Sequence, residues 1–221
     1  MMDFGMQQVY SKYTEEDHNV WQLLSGRQMK VLQKRAAKAY IEGLEAVNFS
    51  PDLVPDYRDL NKNLGKASGW NIVVVKGLVE NKPFFQCLKN KQFPASTWLR
   101  NMDQLAYLEE PDMFHDIFGH IPMLTDQDFC SFIEALSIVA LKHIDNPWAV
   151  ELISRIYWYT VEFGLIKEDD GLRIYGAGIL SSGGESVYSL ESDIPERVPF
   201  NIQEIMETPI IKDKFQAKYF I

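Results

Sequence analysis

The 221-residue sequence is poor in cysteine, in long apolar runs and in repetitive glycine or proline tracts. Its two cysteines, Cys87 and Cys130, could form at most one disulfide, which excludes a disulfide-stapled scaffold and favours a reducing, cytoplasmic setting. The longest apolar runs, such as residues 72–75, fall far short of the roughly 20 residues that a membrane-spanning helix needs. The first residues contain neither a basic nor an apolar stretch, so we expect no secretory signal.

An excess of positive charge is also missing. The chain has 22 Lys and Arg against 31 Asp and Glu, which gives a formal net charge of −9. Because an acidic surface repels phosphate backbones and no basic cluster opposes it, nucleic acid is not an expected partner. Hydrophobic residues make up 46% of the chain, enough for a buried core, and the length favours a single domain over residues 1–221.

Aromatic residues are plentiful, at 13% of the chain, whereas there are only four histidines. Most aromatic side chains of a globular domain belong to its core, but a pocket for a flat ring uses the same residues. The composition therefore leaves both uses open.

The spacing of apolar residues predicts a mostly α fold with a small β component. Thr14 and Asp17 form a capping-box pattern before apolar positions that recur at helical spacing, with Gly26 as a possible break. A second capping pattern begins at Thr125 and precedes a helix-rich half of the chain. Runs that predict strands lie at residues 70–75 and 172–180.

Two of the four histidines, His115 and His120, lie five residues apart next to Gly119 and Pro122. On a regular α-helix five residues turn the side chain through about 500°, so the second ring points roughly 140° away from the first. Both can meet one metal ion only if the helix loosens, widens or ends between them. The alternative is two unrelated histidines near a helix end, which is the more frequent meaning of such a pair.

Glu162 strengthens the metal interpretation because it lies in an aromatic and β-branched stretch that should be buried. A buried carboxylate needs a partner, and a metal ion is one such partner; Arg155 or Arg173 would be an ordinary alternative. Two histidines and one carboxylate form the facial triad of non-haem iron(II) oxygenases. Zinc with the same ligands, as in hydrolases, is the alternative metal.

Three segments together resemble the pterin-dependent aromatic amino acid hydroxylases, and most closely their small bacterial phenylalanine hydroxylases. The segments are residues 110–122, 157–164 and 175–182, which occur in the order and spacing of that family. The similarity is convincing over about residues 70–191. It implies that His115, His120 and Glu162 hold iron(II), and that a tetrahydropterin and dioxygen take part in hydroxylating L-phenylalanine to L-tyrosine.

Other activities stay open beside this one. The same chemistry could act on tryptophan or at another ring position of phenylalanine. From another class, a zinc-dependent hydrolase could use the same three ligands, and a non-catalytic iron- or pterin-binding protein is a third possibility.

The resemblance also implies which residues bind the amino acid substrate. Arg100 occupies the position of the arginine that grips the substrate carboxylate, for which a guanidinium fork is suited; an ion pair with Asp103 is the alternative. Trp158 is expected to form a wall of the substrate-ring pocket. Ser181 and Gly178 are expected beside the substrate and an iron ligand.

For the pterin, the resemblance implies that Phe84 stacks on the ring system and that Val79 contacts it from the loop at residues 77–81. Phe85 is the competing candidate for stacking, and either phenylalanine could simply belong to the core.

Some residues depart from the pattern of the family. Asp116 stands where many members have Glu. Gly183 stands where animal members often have a bulky residue, and Leu108 replaces a threonine found near the substrate in the animal phenylalanine enzyme. The sequence also shows neither the regulatory domain nor the tetramerisation helix of animal members. We therefore expect a monomer with a small-molecule substrate.

Overall fold

The computed structural model describes residues 4–105 and 110–221, and in them the chain is mostly helical with a small β component, as predicted. The α-helices are α1 Glu15–Leu32, α2 Lys38–Ala46, α3 Tyr57–Ala67, α4 Asn81–Lys89, α5 Gln127–Lys142, α6 Pro147–Tyr157, α7 Ala177–Leu180, α8 Glu185–Glu191 and α9 Ile202–Glu207. The strands are β1 Asn71–Val74, β2 Gln92–Ala95, β3 Leu165–Glu168, β4 Gly171–Ile174, β5 Glu196–Val198 and β6 Lys218–Phe220. Two π-helical turns span His115–His120 and Trp158–Glu162.

The strands form small two-stranded ladders rather than one large sheet. β1 pairs in parallel with β2, β3 pairs antiparallel with β4, and β5 pairs in parallel with β6. α4 connects β1 to β2, as a parallel pair requires a crossover. All residues of β2 are buried, and this strand places Phe93 against the ring of His120, with the ring centroids 4.7 Å apart.

In α1, one of the two features predicted from the local sequence is present and the other is not. The capping box of Thr14 and Asp17 is present, with both reciprocal hydrogen bonds formed. The possible break at Gly26 does not occur, because α1 runs through it and an added Cβ there would meet nothing within 4 Å. The chain breaks later, where Ala36 forms an isolated bridge to Ile174.

Two boundaries in the second half also differ from expectation. Asp126, not Thr125, caps α5, since its side chain accepts a hydrogen bond from the backbone N–H of Phe129. The predicted strand at residues 172–180 is half right: β4 ends at Ile174 and the helical turn α7 follows. Gly176 allows this change, because a Cβ there would lie only 2.5 Å from the carbonyl oxygen of Glu162.

Buried aromatic rings pack against the first π-helical turn on the side that faces the core. Phe114 and Phe118 stack with centroids 4.8 Å apart, and Trp21 of α1 packs edge-on against Phe114. The hydroxyl of Tyr40 donates to the carbonyl of Phe118 at 2.8 Å. Much of the aromatic surplus therefore serves the core. No helix in the described ranges is long and apolar enough to cross a membrane.

The contact between α2 and the turn that follows His120 gives a stability prediction. An added Cβ at Gly43 would overlap the backbone carbonyl of Pro122, which cannot rotate away, whereas one at Gly26 would enter open space. We expect Gly43→Ala to lower the free energy of unfolding by about 1–3 kcal/mol through overpacking. Gly26→Ala should raise it by about 0.5–1 kcal/mol, since alanine favours the helix.

Urea unfolding followed by circular dichroism measures both changes. Equal unfolding midpoints for the two variants would contradict the packing of α2 on the turn at Pro122.

Candidate active site

The first π-helical turn brings the two histidines onto one side of the chain. Its i→i+5 hydrogen-bond pattern adds one residue per turn, so residues five apart superpose instead of diverging. The Nε2 atoms of His115 and His120 are 3.1 Å apart. Of the three expected ways for the rings to meet, a helix that loosens, widens or ends, the structure shows the second. Gly119 allows close packing here, since a Cβ would lie 2.9 Å from the carbonyl oxygen of Ala177.

The second π-helical turn ends at Glu162 and places its carboxylate against both rings. Oε1 lies 3.2 Å from Nε2 of His120, and Oε2 lies 3.6 Å from Nε2 of His115. Within the described ranges, these residues form a group of three whose donor atoms all lie within 4.8 Å of one another. The arginine alternatives do not hold, because Arg155 pairs with Glu151 and Arg173 pairs with Asp170.

The spacing of these donor atoms fits a single metal ion. Ligand atoms about 2.1 Å from an ion and at right angles to each other lie roughly 3 Å apart. The carboxylate is less enclosed than its sequence context predicted, with 15% of its side chain exposed, because it borders a cleft. A metal held here by Glu162 would therefore face that cleft.

The protonation of the group suits metal binding. Burial lowers the pKa of His115 to about 4, even though the Glu162 carboxylate opposes this effect, so the ring is neutral at pH 7. Burial alone would raise the pKa of Glu162, but His120, His115 and the Gly178 backbone N–H outweigh it and leave the pKa lowered. A neutral imidazole and an ionised carboxylate are the ligand forms of these residues.

Ser181 determines which nitrogen of His115 is available. Its hydroxyl donates to the carbonyl of Ala177 at 2.8 Å and lies 2.9 Å from Nδ1 of His115. Because the hydroxyl proton is used on Ala177, the oxygen accepts from Nδ1–H, which assigns the lone pair to Nε2. The serine thus orients the ring so that Nε2 faces His120 and Glu162.

Arg100 is tied to the histidines through Asp112, not through the predicted alternative partner Asp103. The Asp112 carboxylate is fully buried and accepts from Nε and Nη2 of Arg100, each at 2.8 Å. It also accepts from the backbone N–H of His115 at 3.2 Å. The sequence analysis missed this carboxylate, although its place three residues before the first histidine is a typical capping position.

A cleft of about 330 Å³ opens beside the three donor atoms. Of the residues predicted for substrate and pterin, Trp158, Phe84 and Val79 line it, together with His115, His120 and Glu162. Arg100, Gly178 and Ser181 do not line it. Ser181 contacts the ring of His115, Arg100 reaches the His115 backbone only through Asp112, and an added Cβ at Gly178 would lie 2.7 Å from the ring of Phe163.

Phe84 and Phe85 differ in exposure. Both line the cleft, but Phe85 is 2% exposed and packs into the core, whereas Phe84 is only partly buried and packs edge-on against Tyr157, with centroids 5.4 Å apart. Phe84 is therefore the better placed of the two for stacking on a ligand in the cleft.

The three positions that depart from the family pattern lie in different surroundings. Asp116 lines the cleft and accepts a 2.8 Å hydrogen bond from the backbone N–H of Ser96; burial raises the pKa of its carboxyl to about 7. A Cβ added at Gly183 would lie 3.5 Å from Oε1 of Gln28 on α1. Leu108 lies outside the described residues.

The cleft also has residues that the sequence analysis missed. Tyr157 precedes the second π-helical turn, and Ile210 and Lys212 come from the chain segment before β6. The motif containing Tyr157 was recognised, so its position could have been found there. The segment with Ile210 and Lys212 shows no periodicity or motif, and only tertiary structure brings it to the cleft.

Comparison with known proteins identifies the family. Residues 3–221 match the family described as biopterin-dependent aromatic amino acid hydroxylase. The phenylalanine-4-hydroxylase of Ralstonia nicotianae is 47% identical over 219 residues, which cover 99% of this chain and 70% of the relative. The chain belongs to this family.

Solved structures of a family member agree with the fold of this hydroxylase chain. The phenylalanine hydroxylase of Chromobacterium violaceum with bound iron(III) and 7,8-dihydrobiopterin has a TM-score of 0.94 and 46% identity, covering 97% of this chain and 78% of that one. The same enzyme with bound iron and phenylalanine has a TM-score of 0.93 and 44% identity, covering 99% and 79%.

The contact between Ser181 and His115 predicts a loss of metal affinity in this family member. We expect Ser181→Ala to weaken iron(II) binding by about 10- to 100-fold, because it frees the imidazole ring and its tautomer. Ser182→Ala is the matched control, since the Ser182 hydroxyl binds the backbone of Glu185 instead of His115. Anaerobic titration of the metal-free protein measures both affinities. Equal losses in the two variants would show that the Ser181 hydroxyl does not orient the ring.

Proposed function

We propose that this chain is an iron(II)- and tetrahydropterin-dependent monooxygenase that hydroxylates L-phenylalanine to L-tyrosine with dioxygen. The observation that carries the proposal is the convergence of His115, His120 and Glu162 at an aromatic-lined cleft. Family membership supports the iron and pterin, and the relatives that bind or act on phenylalanine support the substrate.

The residues that would hold the iron are the two histidines, through Nε2, and Glu162, through its carboxylate. The bound metal and pterin together supply the reductive activation of dioxygen. Three protein ligands leave further coordination positions facing the cleft, and the single carboxylate leaves net positive charge on the ion. Ser181 keeps the lone pair of His115 directed at the site.

Phe84 and Val79, which also line the cleft, would bind the pterin. Phe84 offers a partly exposed ring for stacking, and Val79 lies in the loop that lines the same cleft. The carboxyl group of Asp116 is held by the backbone N–H of Ser96 and can accept or donate a hydrogen bond, depending on its protonation.

The substrate would be bound by an aromatic wall and a cationic clamp. Trp158 lines the cleft and packs on Phe163, with the ring centroids 4.7 Å apart. Arg100 is 11% exposed and is aligned by Asp112, which leaves part of its guanidinium fork for a substrate carboxylate. Gly178 and Ser181 do not line the cleft, so they would act on the substrate site through Phe163 and His115, which they contact.

The remaining alternatives differ in what they require. A tryptophan hydroxylase would use the same iron and pterin, so only product analysis separates it from the proposed activity. The zinc hydrolase finds no support in the comparisons, since the family is biopterin-dependent. A monomeric state and a cytoplasmic location stay predictions.

The central experiment supplies purified protein with iron(II), dioxygen, a tetrahydropterin and each aromatic amino acid in turn. We expect tyrosine from phenylalanine as the main product, and loss of both turnover and tight iron binding in His115→Ala, His120→Ala and Glu162→Ala. Each substitution removes one of three ligands and cannot be compensated by water at the same geometry. Mass spectrometry of the products and metal analysis of the protein are the measurements.

Activity that persists without oxygen and pterin would contradict the proposal and favour a hydrolase. A hydroxylated tryptophan as the main product would correct the substrate and keep the chemistry.

The clamp role of Arg100 gives a separate prediction. Arg100→Lys keeps a positive charge beside Asp112 but removes the planar fork. We expect the KM for phenylalanine to rise by about tenfold or more and the KM for pterin to change by less than about twofold. Steady-state kinetics with each substrate varied separately make the comparison. Equal increases in the two KM values would argue that Arg100 supports the site as a whole instead of binding the substrate.

A further inference from the structure

Gln216, in the segment just before β6, is a buried polar side chain outside the group formed by His115, His120 and Glu162. It is 1% exposed, and both ends of its amide make hydrogen bonds. Oε1 accepts from the indole Nε1–H of Trp158 at 3.1 Å, and Nε2 donates to the carbonyl of Ile211 at 2.9 Å. One amide group therefore contacts the predicted wall of the substrate pocket and a second segment of the chain.

The second segment lines the same cleft. Ile210 and Lys212, which flank the carbonyl that Gln216 binds, are both among the lining residues, as is Trp158. Because the Gln216 side chain binds both the indole and this segment, it fixes the distance between Trp158 and residues 210–212. The width of the cleft between them depends on that link.

The backbone of Gln216 is held independently of its side chain. Its N–H donates to Oε1 of Glu185 at 3.0 Å, and the hydroxyl of Tyr219 donates to the same oxygen at 2.7 Å. Glu185 is itself 6% exposed, so these bonds lie within the core. A substitution that removes only the amide would leave this anchor in place.

The indole needs a directional contact to be fixed in one orientation. Trp158 packs on the ring of Phe163 at a centroid distance of 4.7 Å and an interplanar angle of 39°, a contact that tolerates rotation of the rings. The hydrogen bond from Nε1–H restricts that rotation, since losing it would leave a polar group without its partner.

We propose that Gln216 is a positioning residue that sets the size of aromatic ring the cleft accepts, by tying Trp158 to the segment at Ile210 and Lys212. The inference rests on the proposed function of the cleft as a site for aromatic amino acids. It assigns selectivity to a residue that need not touch the substrate and that lies 58 positions from the tryptophan it orients.

The test compares Gln216→Met with the wild-type protein. Methionine has a similar volume and flexibility but neither of the two hydrogen bonds. We expect the ratio of kcat/KM for phenylalanine over tryptophan to fall by about tenfold, with the change mainly in the KM for the amino acid and that for pterin unchanged. The affinity for iron(II) should also be unchanged.

Tyr219→Phe is the matched control. It removes a buried hydrogen bond from the same part of the chain but leaves the amide of Gln216 on Trp158. This variant should lose stability without a change in substrate selectivity.

A double-mutant cycle with Trp158→Phe shows whether Gln216 acts through the indole. In the Trp158→Phe background, Gln216→Met should change the selectivity ratio by less than about twofold. A readout independent of turnover is tryptophan fluorescence of the metal-free protein, in which the shift caused by Gln216→Met should vanish when Trp158 is absent.

Two outcomes would overturn the inference: an unchanged selectivity ratio in Gln216→Met, or an equal change in Tyr219→Phe. Failure of the proposed function is distinguishable, because the wild-type protein would then hydroxylate neither amino acid, whereas the fluorescence comparison would still report the contact between Gln216 and Trp158.

Discussion

The arrangement of His115, His120 and Glu162 as a candidate metal site depends on the widening of two helical segments by about one residue per turn. In a regular α-helix the rings of His115 and His120 would diverge by roughly 140°, and no nearby rotamer would bring both Nε2 atoms to one ion. The π-helical turn at His115–His120 removes that divergence. The second π-helical turn, Trp158–Glu162, places a carboxylate and an indole at the same cleft. The chemistry proposed for the site therefore begins with a distortion of the backbone.

The short helix α7 lies against both widened turns and stabilises them in place. Ala177, the first residue of α7, contacts Gly119 so closely that a side chain at position 119 would collide with the backbone of Ala177. A side chain at position 178 would likewise collide with the ring of Phe163 and approach the carbonyl of Glu162. Just after α7, Ser181 binds Nδ1 of His115. A π-helical turn is rare and is retained mostly at functional sites. Here its retention has a packing cause, since α7 fills the space between the two turns.

Site residues that lie in recognisable sequence patterns were predictable from the sequence, whereas residues brought to the site only by contacts between distant segments were not. The spacing of His115 and His120 required a helix that loosens, widens or ends, and a carboxylate in an apolar stretch pointed to Glu162. By contrast, Asp126 replaced Thr125 as the cap because the Thr125 hydroxyl donates to the carbonyl of Pro122, while the Asp126 carboxylate accepts from the backbone N–H of Phe129. Gln216 and the cleft segment at Ile210 show no pattern, and their roles follow from a contact that spans 58 positions.

Asp112 connects Arg100, the proposed amino acid clamp, to the turn that carries the proposed metal ligands, and this link restricts how the guanidinium of Arg100 can be used. A guanidinium has five N–H donors, of which the carboxylate takes Nε–H and one on Nη2. The donors left over lie mainly on Nη1 and on the outer side of Nη2, so a second carboxylate can approach only end-on. The Asp112 carboxylate also accepts from the backbone N–H groups of Arg100, at 3.1 Å, and of His115, at 3.2 Å. Because Asp112 is fully buried, it fixes the guanidinium and the first residue of the π-helical turn relative to each other. If Arg100 binds a substrate carboxylate as proposed, its distance from the proposed metal site would therefore be set by the protein before either ligand arrives.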